Sequence, residues 1–208
     1  MSSYSNHPKF AIRSRLQNQT NSLCLSLCLA ILISSCSKQL SKEEYIRWVQ
    51  EPENGLHTIK ESNGFIFDLQ YQPDQYLWLQ SGDKGQPDFG NKSDNIQHYL
   101  LTISLSDPEL DLINNNIEST SEKQEKLYYF SYLFQNDIQL EEDGKLFPCV
   151  LFHFEKNQVA RGGRNFLLGF ENKEPEENEV KVVIQSEQFG SLPIRIKINK
   201  ENIPTLKI

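Results

Sequence analysis

Beyond residue 60 the apolar positions of the chain mostly alternate with polar ones. Phe65, Phe67, Leu69 and Tyr71 are separated by Ile66, Asp68 and Gln70; Tyr99, Leu101, Ile103 and Leu105 by Leu100, Thr102 and Ser104; Ile194, Ile196 and Ile198 by Arg195 and Lys197. Successive side chains on a strand point to opposite faces, so this period of two predicts half-buried strands. Further apolar runs at residues 76–79, 147–154, 166–170 and 180–185 bring the expected set to about seven strands. Asp143-Gly144 is a hairpin signal between Ile138-Gln139-Leu140 and the 147–154 run.

Helical spacing is confined to short stretches. Ser41-Lys42-Glu43-Glu44 forms a capping box in front of Tyr45, Trp48 and Val49, which share one helical face, and Pro52 stops the segment. Asp107-Pro108 predicts a short helix through Leu110, Ile113 and Ile117, while residues 121–134 combine helical spacing at Leu127, Phe130 and Phe134 with strand-like aromatic content, which predicts a helix entering a strand. The fold class expected is mainly β, a small antiparallel β-sandwich or rolled sheet with one to three peripheral helices, over residues 42–208 as one domain.

The first 35 residues have another composition. They hold Lys9, Arg13 and Arg15, no acidic residue, and then the 11-residue apolar run from Leu23 to Ile33. As a helix that run reaches about 16 Å, against the ~30 Å of a hydrocarbon core, so it suits a secretory signal and is too short for a span. Directly behind it stands Ile33-Ser34-Ser35-Cys36, which resembles the lipobox of bacterial lipoproteins with a type II signal peptide. The resemblance covers about the first 40 residues and implies cleavage between Ser35 and Cys36 and lipidation of the Cys36 thiol. The absence of Asp at Ser37 is similar to lipoproteins sent on to the outer membrane. Residues 36–41 would then be lipid anchor and tether, with at most ~18 Å of reach over five residues.

Processing changes the charge. The full chain of 208 residues has a net charge of −7, and losing three basic and no acidic residues leaves −10 on the 173 that remain. Such a surface is repelled by phosphate backbones and anionic head groups, so no nucleic-acid partner is expected and the membrane is held through Cys36 alone. Cys24 and Cys28 leave with the signal, only Cys149 stays free, and no internal disulfide is available.

Motifs for chemistry are few. His57, His98 and His153 stand apart in the mature chain, without metal-ligand spacing, and no metal or cofactor is expected. Cys149 and His153, four apart on a strand, are expected to face the same side at about 13 Å, too far for proton transfer, with Cys149 in the core. Arg161 and Arg164 flank Gly162-Gly163 and offer guanidinium groups to a carboxylate or phosphate, or form a basic turn. Asp83, Asp88, Asn91, Asp94 and Asn95 share a loop but miss the EF-hand pattern. Tyr71, Tyr76 and Trp78 cluster as core rings or as an exposed platform for a ligand or partner.

The expectation is a lipid-anchored, non-enzymatic binding or assembly component of a bacterial cell envelope with an envelope protein as partner. A glycan-binding lipoprotein using the aromatic cluster is the alternative. A hydrolase whose residues are scattered in sequence stands behind both.

Overall fold

In the computed structural model residues 38–82, 96–157, 159–171 and 178–207 are described; the signal segment, Ser35, Cys36, the Asp83–Asn95 loop and the Arg161 side chain lie outside them. The capping box forms as its residue types dictate. Ser41 Oγ accepts from the Glu44 amide at 3.4 Å and Glu44 Oε2 accepts from the Ser41 amide at 3.0 Å, opening helix α1 (Lys42–Gln50), which buries Tyr45 and Val49. Pro52 ends it in a 3-10 turn. Strand β1 (Gln39–Leu40) precedes α1 and pairs in parallel with β10 (Thr205–Leu206), so two residues of the expected tether belong to the folded body.

Eight strands make one antiparallel sheet: β2 (His57–Ser62), β3 (Phe65–Gln72), β4 (Ile96–Leu105), β5 (Ile138–Glu142), β6 (Lys145–Glu155), β7 (Arg164–Glu171), β8 (Glu179–Ile184) and β9 (Ile194–Asn199), in the order β2-β3-β4-β7-β6-β5-β8-β9. The sheet curls until it is nearly closed into a barrel, so the rolled-sheet form of the expected class is the one found. At the seam between β2 and β9 side chains replace part of the ladder: Thr58 Oγ1 donates to Lys197 O and Lys60 Nζ to Arg195 O, both at 2.8 Å.

That seam explains why β2 shows no apolar alternation. The register pairs Thr58 with Leu69 and Lys60 with Phe67, putting both β2 side chains on the face of the buried β3 residues, while Ile59 is 57% exposed on the other face. The sequence signal there is the turn, Asn63-Gly64, with φ of 53° and 80°; Asp143-Gly144 repeats it with 48° and 70°.

One end of the interior is filled by phenylalanine. Phe134 meets Phe130, Phe152, Phe166 and Phe189 with ring centroids 5.1–6.3 Å apart, and Phe189 meets Phe65 and Phe67 edge-on. The other end is polar: Gln97 Oε1 accepts from Tyr99 Oη at 2.8 Å and from Lys200 Nζ at 3.1 Å, and Lys200 lies 3.9 Å from Glu142 and over the Tyr71 ring. Burial pushes the Lys200 ammonium down and the Tyr71 hydroxyl up to about 12.

Several local expectations change. Residues 76–79 lie in a helix, α2 (Asp74–Gln80), entered from Pro73 with Asp74 in its first turn; a four-residue apolar run carries no period that separates helix from strand. Residues 107–117 form turns rather than a helix, because Asp111 Oδ1 accepts from the amides of Ile113 and Asn114 at 2.9 Å. Helix α3 (Thr120–Tyr128) runs on through a π-helical turn (Tyr129–Leu133) and a 3-10 turn (Phe134–Asp137), and the strand starts only at Ile138.

Cys149 and His153 lie on opposite faces. The β6–β7 register shifts between Cys149 and Leu151, a bulge that reverses parity, so Cys149 and Phe154 are buried while His153 is exposed. Burial pushes the Cys149 thiol up to about 11, and Sγ donates to Leu151 O at 3.1 Å.

His57 ties α1 to the sheet. Nδ1 lies 2.7 Å from Gln50 O and Nε2 2.6 Å from Asp68 Oδ1. Both partners accept only, so the two bonds are complete when both ring nitrogens donate, which favours the imidazolium. The Asp68 hydrogen bond is the main cause that raises its pKa; burial opposes and the Gln50 carbonyl adds. A raised folded pKa means the contribution is whole below the unfolded value of about 6.5 and is lost as pH climbs through the folded one. Thermal unfolding above pH 6.5 is therefore expected to show a fall in Tm that His57→Gln removes.

Candidate functional site

Where β8 leaves the sheet, it meets the end of the long helical segment, and a cleft of about 900 Å³ opens between them. Tyr129 and Asp137 line it from one side and Gln185, Ser186, Glu187, Gln188, Gly190 and Ser191 from the other. Ser119 caps α3 by accepting from the Glu122 amide, Phe130 and Phe134 anchor the segment in the interior, and Gln185 N donates to Asp137 O at 2.9 Å. Ser186 Oγ accepts from Gln188 N and starts a short turn that drives Phe189 inward.

Three groups form a chain in the cleft. Tyr129 Oη donates to Asp137 Oδ2 at 2.5 Å and is also hydrogen-bonded to Ser186 Oγ. The carboxylate only accepts and the phenol has one proton, so Ser186 donates to Tyr129. Burial, followed by the Asp137 bond, pushes the Tyr129 hydroxyl well above its ordinary value, with the Ser186 bond opposing. Tyr129 thus stays neutral, a donor and acceptor that does not serve as a base.

The sequence-selected residues are distributed differently. Tyr76 is buried, its hydroxyl accepting from Gln50 Nε2 at 3.1 Å; Tyr71 is half-buried against Tyr99; Trp78 is half-buried with Lys42 Nζ 5.3 Å above its ring. They do not form an exposed platform. Among the described residues the large exposed rings are Tyr128 and Tyr132, 57% and 64% exposed with centroids 5.3 Å apart, on the segment that carries Tyr129.

Arg164 is buried, its guanidinium paired with Asp111 at 2.6 Å and donating to Gly163 O at 2.9 Å. Gly162 is required beside it: its φ is +67°, and a Cβ would lie 2.1 Å from Leu110 O. The Arg161-to-Arg164 turn thus holds the 107–117 loop against the sheet.

Among the described residues no group of three or more His, Cys, Asp or Glu could hold a metal ion, and no helix is long and apolar enough to cross a membrane. The outer face of β6 carries a second feature. Leu146, Val150 and Leu151 are exposed, Val150 and Leu151 in succession because of the bulge, and Leu151 closes with Ile96 over Gly169, where a Cβ would meet them at 2.8 and 2.9 Å.

No protein-family model matches the chain, and no curated protein matches it.

Tyr129→Phe removes both links of the hydroxyl chain. It is expected to lower stability by about 1–2 kcal/mol in urea unfolding, the size of one to two hydrogen bonds, with the β signature in circular dichroism retained.

Proposed function

We propose that the protein is a lipid-anchored, non-enzymatic binding or assembly component of a bacterial cell envelope. The observation that carries the anchor is Ile33-Ser34-Ser35-Cys36 directly behind a basic and an apolar segment. Its test is the mass of the mature amino-terminal peptide from the native host. A diacylated peptide beginning at Cys36 is expected, and an unmodified Cys36 overturns the reading. Ser37 favours the outer membrane, which fractionation of the same cells checks.

The exposed apolar residues of β6 support a protein partner. The interior is filled without Leu146, Val150 and Leu151, so their exposure serves no packing inside the sheet. A photo-reactive residue at Val150 in living cells is expected to cross-link one envelope protein, and Leu151→Asp to abolish the adduct without lowering the amount of folded protein. Absence of an adduct at Val150 and at Leu146 removes the support for a partner on this face.

A hydrolase finds less support. The two ring nitrogens of His57 are already held by Gln50 O and Asp68 Oδ1, and among the described residues the Tyr129 cleft is lined by no histidine.

A further inference from the structure

We propose that the cleft between the helical segment and the β8 exit binds an uncharged saccharide. Its volume, about 900 Å³, falls in the range of roughly 300–1,000 Å³ typical of small-ligand sites. The lining is unusual for an apolar ligand: the Ser191 hydroxyl, the amides of Gln185 and Gln188 and the carboxylates of Asp137 and Glu187 stand there, while the protons of the Tyr129 and Ser186 hydroxyls are already engaged. Such groups satisfy vicinal hydroxyls, which donate and accept at once. Tyr129 engages one Asp137 oxygen, and a carboxylate has about four acceptor positions, so Asp137 retains capacity for ligand hydroxyls.

Charge narrows the class. Among the described residues two carboxylates and no Lys, Arg or His line the cleft, which disfavours phosphorylated or uronic acid sugars. A second observation is independent of the cavity. Tyr128 and Tyr132 expose paired rings on the segment that carries Tyr129, though Tyr128→Ala and Tyr132→Ala would cost no core packing. An exposed ring presents an apolar face with a polar tip, as the face of a pyranose requires. Tyr128 at the end of α3 and Tyr132 in the π-helical turn stay outside while Phe130 and Phe134 remain inside. Neither the lipid anchor nor the β6 face enters this argument, so the two readings fail separately.

The test is calorimetric titration of the purified full-length protein, in a detergent without a sugar head group, with maltotriose, cellotriose, chitotriose and a polygalacturonate oligomer. Saturable binding of at least one uncharged trisaccharide is expected at a Kd of about 1 mM or tighter, equivalent to ~4 kcal/mol. Asp137→Asn, which keeps an acceptor for Tyr129, and Tyr132→Ala, an exposed position, are each expected to weaken it about tenfold, or ~1.4 kcal/mol, at unchanged Tm. No binding by any uncharged trisaccharide at about 10 mM, binding preferred by the polygalacturonate, or binding unaffected by both variants each overturns the proposal.

Discussion

A sheet of eight strands that curls until its edges nearly meet encloses a volume that its own side chains must fill. At one end the filling is aromatic. Phe67 and Phe166 come from strands, while Phe130, Phe134 and Phe189 are brought in by segments outside the sheet. Rings this large tolerate few arrangements, and tilted or edge-on contacts dominate. The rest follows from that demand: the helical segment must dip into the interior, β8 must turn after Ile184 to deliver Phe189, and the cleft is the gap left where these two plugs approach. Its hydroxyl chain closes the base of that gap by joining Tyr129 on one plug to Ser186 on the other.

The opposite end solves the same problem with polar groups. Glu142, Gln97 and Tyr99 are buried beside a half-buried Lys200, and a largely buried ion pair at 3.9 Å offers little net stability once desolvation is counted. What such a network does supply is geometry, since Lys200 bonds only where β9 ends beside the start of β4. The two ends thus differ in kind: shape-filling rings at one, directional bonds at the other.

Much of this was legible in the sequence, and the failures have physical reasons. The strands at 65–72, 96–105 and 194–199 announced themselves because one face of each is buried, and α1 because Ser41 and Glu44 stand three apart. Strand β2 was hidden because its inward side chains are Thr58 and Lys60, chosen by hydrogen bonds to β9 that only the closed sheet creates. The parity of Cys149 and His153 was hidden because a bulge leaves no mark in apolar alternation. The cleft was the least legible. Tyr129 and Asp137 are eight residues apart along helical turns, but Ser186 joins them across a separation of 57 residues fixed by sheet order alone. Of the rings that did attract notice, Tyr76 is buried, and Tyr71 and Trp78 are half-buried against the core.

The bulge in β6 has a genetic side. Elsewhere in these strands, loss of one codon turns every residue beyond it from one face to the other. At Val150 the arithmetic is reversed: Cys149 faces in, Val150 and Leu151 both face out, and Phe152 faces in again. Excising Val150 would leave a regularly alternating strand with Cys149 and Phe152 still inside. In the longest strand of the sheet, this is the point at which the chain can change length without turning itself inside out, and the side chain surrendered there belongs to the outer surface.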